Sequence, residues 1–173
     1  MASKAQTDQG TCAYVIGDDG LATWSDTHAD AWIGMLETHK RLTRALDAEL
    51  EAEFGLSLSG TEVLGRLAAA EDRHMRLSVL ATATGLSLSR ISRIVDTLEA
   101  RKLVERRSSP DDARAVECHL LDAGLDLVRK AQSTHSASVQ QRFFDHLSAR
   151  EIETLAAVFA RFAPRAAADC TES

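Results

Sequence analysis

Apolar residues recur at helical spacing over a long stretch near the start of the chain. From Ala29 to Phe54 they include Trp32, Leu36, Leu42, Leu46 and Leu50, and this spacing predicts a long first helix that ends near Gly55. The run Ser59-Gly60-Thr61-Glu62 has the pattern of a capping box and predicts a second helix through Ala70. Residues 1–25 show no sustained period, so we expect them to form a largely disordered extension.

Two further helices are predicted towards the other end of the chain. One runs from Asp122 to about Leu147. A second capping box, Ser148-Ala149-Arg150-Glu151, opens a last helix whose apolar positions are Ile152, Leu155, Val158, Phe159 and Phe162. Pro164 is expected to stop this helix, and residues 165–173 are expected to form a flexible tail.

Between these helices, the segment from Leu77 to Gly124 has a different pattern. Ser78–Thr84 predicts a short helix, Thr84-Gly85-Leu86 a tight turn, and Leu88–Leu98 a second helix with Ser87 as its N-cap. One side of the second helix is apolar and comprises Leu88, Ile91, Ile94, Val95 and Leu98. The other side is polar and comprises Ser89, Ser92, Arg93 and Asp96, flanked by Arg90 and Thr97. This spacing is typical of a helix-turn-helix whose second helix reads DNA.

A polar helix face can also be a solvated surface, but the residues that follow favour DNA recognition. Leu103–Arg107, the turn formers Ser108–Ala113 and the alternating run Ala115–Leu120 predict a β-hairpin, with Val116, Cys118 and Leu120 on one face. Near its tip, Asp112 could hold Arg114 extended towards a minor groove. Hydroxyl and guanidinium groups on the helix have the reach and donor geometry for phosphates and for guanine O6 and N7.

Several motifs in this segment resemble the MarR family of bacterial transcriptional regulators. They are Leu98–Arg106, Asp112-x-Arg114 and Leu120-x-x-x-Gly124, preceded by Arg76-Leu77-Ser78-x-Leu80-Ala81. The similarity spans roughly residues 32–162. It implies a mainly α fold with a small β-hairpin wing, in which a winged helix-turn-helix lies between long N- and C-terminal dimerisation helices.

Two departures from the family pattern carry local expectations. Leu120-Leu121 replaces the usual Leu-Thr pair, so we expect Asp122 to cap the long helix in place of the threonine. Lys102 stands where the family commonly has a glycine. Since that glycine would end the reading helix in a left-handed conformation, we expect the exit from the helix to differ slightly here.

Composition and charge fit this interpretation. The chain has 173 residues, 45% of them apolar and 5% aromatic, which is enough for one ordinary domain with a helical core. Its net charge of −6 is unevenly distributed: residues 73–114 contain nine Arg or Lys and five Asp or Glu, giving +4, and the remainder contains eleven and twenty-one, giving −10. Such segregation is expected where one surface meets phosphates.

Other classes of protein find little support in the sequence. It contains no Gly-rich phosphate loop, nucleophile elbow, HExxH or CxxC, so we expect neither an enzyme nor a cofactor. No apolar run suits a membrane span and the N-terminus lacks a secretory pattern, which predicts a cytoplasmic location. Cys12, Cys118 and Cys170 are odd in number and far apart, as expected of reduced thiols.

The resemblance implies a homodimer in which the first and last helices of two chains interlock and two reading helices meet a near-palindromic operator. The alternative is that Phe143, Phe144, Phe159 and Phe162 form a core within one chain. In the dimer that the resemblance implies, the domains are a first dimerisation helix and linker over 26–58, the DNA-binding lobe over 59–121 and C-terminal dimerisation helices over 122–164. The expected DNA contacts are Ser87, Ser89, Arg90, Ser92 and Arg93 in the major groove or on its rim, Arg76 and Arg107 at phosphates, and Arg114, oriented by Asp112, in the minor groove.

Members of the family generally repress transcription until a signal arrives, and three kinds of signal remain open. A small organic anion could be held between the first helix, the long post-wing helix and the lobe by Trp32 and His39, although both residues also suit a dimer core. A metal such as zinc would need ligands from several elements, because no two of the six histidines are four residues apart. Thiol oxidation would involve Cys12, which has no evident cationic partner, or Cys118, which is expected to face the core. A protein-binding adaptor without operator specificity is an alternative of a different class.

Overall fold

The computed structural model describes residues 14–108 and 116–162, which are mostly helical with a small antiparallel sheet, as the sequence predicts. The helices are α1 (Asp26–Phe54), α2 (Leu58–Ala69), α3 (Leu77–Thr84), α4 (Leu88–Ala100), α5 (Asp122–Arg142) and α6 (Ala149–Phe159). The strands are β1 (Tyr14–Ile16), β2 (Ala22–Trp24), β3 (His74–Arg76), β4 (Val104–Ser108) and β5 (Val116–Leu120). The chain divides into two units between Arg44 and Ala45, inside α1.

The described part of the first unit opens with a hairpin, where the sequence predicted no regular structure. β1 pairs antiparallel with β2, so that Tyr14 lies opposite Trp24 and their rings meet edge to face with centroids 5.9 Å apart. Gly20 adopts a φ of 78° in the turn. The prediction of disorder was therefore wrong for residues 14–24, because strands of three residues are too short to show an alternating pattern. Residues 1–13 lie outside the described part.

The first half of α1 exposes its large apolar side chains. Trp32, Ile33 and Met35 are all about half exposed. The predicted apolar positions become buried only near the C-terminal end of the helix, at Leu46 and Leu50 in the second unit. The helix begins at Asp26, the first residue of the predicted helix and linker and three residues before the apolar period starts at Ala29.

The core of the second unit is formed where the last turns of α1, the helices α2 to α5 and a three-stranded sheet meet. Val63, Leu64 and Leu67 of α2 are buried. On the predicted apolar side of α4, Ile91, Val95 and Leu98 are buried and Ile94 is partly buried. Leu88 differs, being 54% exposed, because it lies in the first turn of α4, ahead of the residues that reach the core. The helix α4 is thus anchored by one face along most of its length.

The sheet has the order β3-β5-β4, with β5 in the centre. Cys118 and Leu120 of β5 are buried, as predicted, whereas Val116 is 40% exposed. Val116 is the first described residue after the hairpin tip and pairs with the exposed Ser108, so it lies beyond the edge of the core. Residues 109–115, including the predicted tip residues Asp112 and Arg114, lie outside the described part.

Of four predicted N-caps, two agree with the structure and two do not. The Ser87 hydroxyl accepts a hydrogen bond from the backbone N–H of Arg90, and Ser148–Glu151 forms the predicted capping box. The N-cap of α2 is Ser57, not Ser59, and its hydroxyl accepts from the N–H of Gly60. The prediction at Ser59 was wrong because Ser57, two residues earlier, offers an equivalent hydroxyl shortly after α1 ends.

Asp122 does not cap α5. The N-cap is Leu121, which makes no side-chain cap, and Asp122 is the first helical residue. Its carboxylate instead receives a hydrogen bond from Arg73, 3.1 Å away. This long-range ion pair replaces the local cap that the sequence predicted, and the negative charge still suits the first turn of a helix.

The exit from α4 retains the left-handed residue despite the missing glycine. Lys102 has a φ of 58°. The N–H of Lys102 donates to the carbonyl of Glu99 and that of Leu103 to the carbonyl of Leu98, which is the hydrogen-bond pattern of a Schellman motif. The expected difference was wrong, because burial of Leu103 and these hydrogen bonds require the turn whatever side chain stands there. A left-handed lysine costs about 1 kcal/mol.

The end of α5 also differs from the prediction. The helix stops at Arg142, and a 3-10 turn at Phe144–His146 leads to α6. Phe143 leaves the helical region with a φ of −127°, and its ring meets that of Phe144 edge to face. No helix in residues 14–108 and 116–162 combines the length and apolar character needed to cross a membrane.

Candidate nucleic-acid interface

The candidate interface is the polar face of α4. Ser89, Arg90 and Arg93 are exposed on it, opposite the buried Ile91 and Val95. The hydroxyls of Ser87 and Ser89 lie 3.1 Å apart at the start of the helix. A rigid helix therefore presents hydroxyl and guanidinium donors on one exposed side, which is the arrangement that a DNA groove accepts.

Ser92 lies closer to the wing than the other predicted contacts. It is half buried, and its carbonyl and hydroxyl oxygens both accept hydrogen bonds from the guanidinium of Arg106, at 2.9 and 3.4 Å. Its hydroxyl hydrogen is free to turn outwards, since the hydroxyl serves there as an acceptor.

Arg106 is a structural arginine that joins β4 to α4. Its guanidinium lies 2.7 Å from the Asp96 carboxylate and also contacts that of Glu99. The backbone N–H and the guanidinium of Arg106 donate hydrogen bonds to Glu99 and hold the pKa of that carboxyl below its usual value. Sequence analysis assigned Arg106 no role, although Asp96 and Glu99, three residues apart on α4, indicate a basic partner.

Ion pairing separates the basic side chains of the second unit into two groups. Arg73 pairs with Asp122, and the exposed Arg107, a predicted phosphate contact, pairs with Glu105. Within the described residues, Arg76, Arg90 and Arg93 form no ion pair. The exposed Arg76 lies at the start of α3, as its N-cap residue. A cation without a carboxylate partner is available to an incoming phosphate.

A cleft of about 480 Å³ runs beside α4. Ser57 and Gly60, from the start of α2, line one side. Arg90, Arg93 and Thr97 follow one another down α4 on the other side, and Arg101 follows directly after the end of the helix. Sequence analysis missed Ser57 and Arg101 here, since nothing local indicates that the start of α2 lies next to α4.

The predicted effector residues lie on α1 in the first unit. Trp32 is 54% exposed and His39 is exposed. In residues 14–108 and 116–162, no group of three His, Cys, Asp or Glu side chains is arranged to hold a metal ion.

Cys118 is buried, and burial raises the pKa of its thiol to about 12. Because the thiolate is the reactive form, we expect Cys118 of the native protein to resist iodoacetamide at about pH 8 and to react once the protein is unfolded. Mass spectrometry after timed labelling checks this, with the denatured protein as the control. Equal labelling rates in the two samples would contradict it and make Cys118 a candidate oxidation sensor.

The fold and the exposed basic helix together define a winged-helix DNA-binding protein. The MarR family model matches residues 49–115. AbsC, a MarR family transcriptional regulator from Streptomyces coelicolor, is 34% identical; the match covers 82% of this chain and 95% of that one, with a TM-score of 0.77. The chain belongs to the MarR family of transcriptional regulators.

Two further solved structures are relevant. Sco3205, a MarR family regulator from Streptomyces coelicolor solved in complex with DNA, is 27% identical, with 82% and 89% of the two chains covered and a TM-score of 0.76. MepR from S. aureus, also solved with DNA, is 22% identical over 78% of this chain and 96% of that one, with a TM-score of 0.67, and supports the fold alone. Comparison with functionally curated proteins gave no match.

Proposed function

We propose that this protein is a homodimeric, sequence-specific regulator that occludes a promoter in the cytoplasm and is released when a small-molecule effector binds. The observation that carries the proposal is the polar face of α4, where Arg90 and Arg93 are exposed on a helix anchored through Ile91 and Val95. The DNA complex of the related Sco3205 supports DNA as the partner.

Specific DNA binding by this protein would use two kinds of contact. Ser87, Ser89, Arg90, Ser92 and Arg93 would meet base edges or the rim of the major groove. Arg76 and Arg107 would bind phosphates, with Arg107 exchanging its Glu105 partner for a phosphate oxygen. Arg114, oriented by Asp112, would enter the minor groove beside the operator half-site.

Dimerisation is supported by apolar side chains that remain exposed in the single chain. On α1 of the first unit these are Trp32, Ile33 and Met35, each 42–56% exposed. On the last helix of the second unit, Phe159 is 48% and the following Phe162 82% exposed. Large apolar side chains left exposed on each unit mark interaction surfaces, and a second copy of the chain would cover them.

An effector would act by shifting the population of conformations. It releases the protein from DNA only to the extent that it binds the DNA-free conformation more tightly than the DNA-competent one, typically by about 1–3 kcal/mol. Trp32 and His39 remain the proposed contacts for an organic anion, with a flat apolar surface and a hydrogen-bond donor seven residues apart on α1.

The proposal is tested by in vitro selection of DNA from a random pool with the full chain, at one fixed moderate salt concentration because nonspecific affinity falls steeply with ionic strength. We expect enrichment of an inverted repeat with half-sites about 10 base pairs apart. The enriched site then serves to screen organic anions, metals and oxidants for release. Generic, salt-sensitive binding without enrichment would contradict the proposal and favour a protein-binding adaptor.

A further inference from the structure

Arg101 connects the end of the reading helix to the end of the first long helix. It follows the last residue of α4, and its guanidinium donates hydrogen bonds to the carbonyl oxygens of Phe54, at 2.9 Å, and of Gly55. These carbonyls belong to the C-terminal end of α1, where they have no donor within the helix and carry the negative end of its dipole. The contact joins two helix ends that are 46 residues apart in the sequence.

The end of α1 is also fixed to its other neighbours. The Asp47 carboxylate accepts a hydrogen bond from the N–H of Leu58, 2.7 Å away, which attaches α1 to the start of α2. The Ser138 hydroxyl donates a hydrogen bond to the Glu49 carboxylate, which attaches α1 to α5. Within α5, Arg142 donates to the same hydroxyl oxygen. Arg101 adds a direct polar connection to α4, so the last two turns of α1 are tied to three helices of the second unit.

We propose that Arg101 is a positioning residue that fixes the reading helix against the last turns of α1 in the second unit, and thereby sets the half-site spacing that the dimer accepts. The inference rests on the proposed function, since a spacing exists only if two reading helices act in one dimer. Only the last turns of α1, residues 45–54, belong to the second unit together with α4, so the contact of Arg101 acts on that part of the helix.

The chemistry of the side chain suits this role. A guanidinium is a planar fork whose N–H groups can hold two neighbouring carbonyl oxygens in one fixed geometry. A lysine ammonium keeps the charge but is a point donor on a flexible stem. Substitutions at this position therefore separate the effect of charge from that of geometry.

The test compares the full-length wild type with Arg101→Met and Arg101→Lys. Affinity is measured by titration for the selected operator and for versions whose half-site separation is one or two base pairs shorter or longer. Lys102→Gln is the matched control, because it removes a neighbouring positive charge at the same helix end and keeps a non-glycine residue at the left-handed position.

We expect the preference of the wild type for its best spacing to fall about threefold to tenfold in Arg101→Met, the loss typical of one or two exposed hydrogen bonds. The spacing preference of Arg101→Lys should lie between those of the wild type and Arg101→Met. Lys102→Gln should keep the wild-type preference. Dimerisation, measured by sedimentation, should be unchanged in all variants. If Arg101→Met does not fold, the milder Arg101→Lys decides.

Two results would overturn the inference alone. An unchanged spacing preference would reduce Arg101 to a local cap of α1. An equal loss of affinity at every spacing, with a weaker salt dependence, would make it a phosphate contact. A wild type without any spacing preference would instead contradict the proposed function itself, and the inference with it.

Discussion

Replacement of Arg93 by alanine should weaken operator binding by about 1–3 kcal/mol at each half-site and relax the sequence preference at one position. Arg93 is exposed on α4, two residues before the buried Val95, so its position is fixed by the core. Within the described residues it forms no ion pair, so no ion pair among them is broken when it meets a base. In a symmetric dimer the loss occurs twice.

The measurement is a repeat of the in vitro selection with the variant, followed by titration of both proteins on the wild-type operator. Arg129→Ala is the matched control, since Arg129 is an exposed arginine of α5 that pairs with Asp126 on its own helix. We expect the control to keep the selected sequence. A loss of affinity of the same size on every sequence would show that Arg93 binds a phosphate rather than a base.

The largest expected effect on stability is that of Gly124→Ala. Gly124 is buried in the first turns of α5, and a β-carbon there would overlap the carbonyl oxygen of Leu103 and lie 2.8 Å from a methyl carbon of Leu120. The carbonyl belongs to the backbone at the exit of α4, where it accepts a hydrogen bond from the N–H of Leu121. It cannot move aside as a flexible side chain would.

We expect Gly124→Ala to destabilise the protein by about 2–4 kcal/mol, despite the better helix propensity of alanine. Thermal and urea unfolding followed by circular dichroism measure the change. The control enlarges the exposed neighbour, Ala123→Leu, which should alter the stability by less than about 0.5 kcal/mol. If Gly124→Ala unfolds with the same stability as the wild type, the close approach of α5 to the carbonyl of Leu103 would be contradicted.

Much of the fold can be predicted from the sequence where the signal is local. The helical period of α2 and α4 identifies their buried faces, because each face needs only residues three or four apart. The caps at Ser87 and Ser148 depend on neighbouring backbone groups and were predicted for the same reason.

The features that sequence analysis missed depend on residues far apart in the chain. Asp122 pairs with Arg73 instead of capping α5, and Arg101 binds the end of α1. Lys102 occupies a glycine conformation because the buried Leu103 after it requires the turn. In the candidate interface, the exposed polar face of α4 could be predicted. The structural role of Arg106 could not, because its carboxylate partners Asp96 and Glu99 are identified only by the fold.

The hairpin and the start of α1 have a practical consequence for spectroscopy. The chain contains two tryptophans, Trp24 and Trp32, and both lie in the first unit, about half exposed. Intrinsic tryptophan emission therefore reports on that unit and contains no direct signal from the winged helix. Fluorescence and far-ultraviolet circular dichroism would then follow different parts of the molecule, and unfolding curves that fail to coincide would show that the two units melt separately.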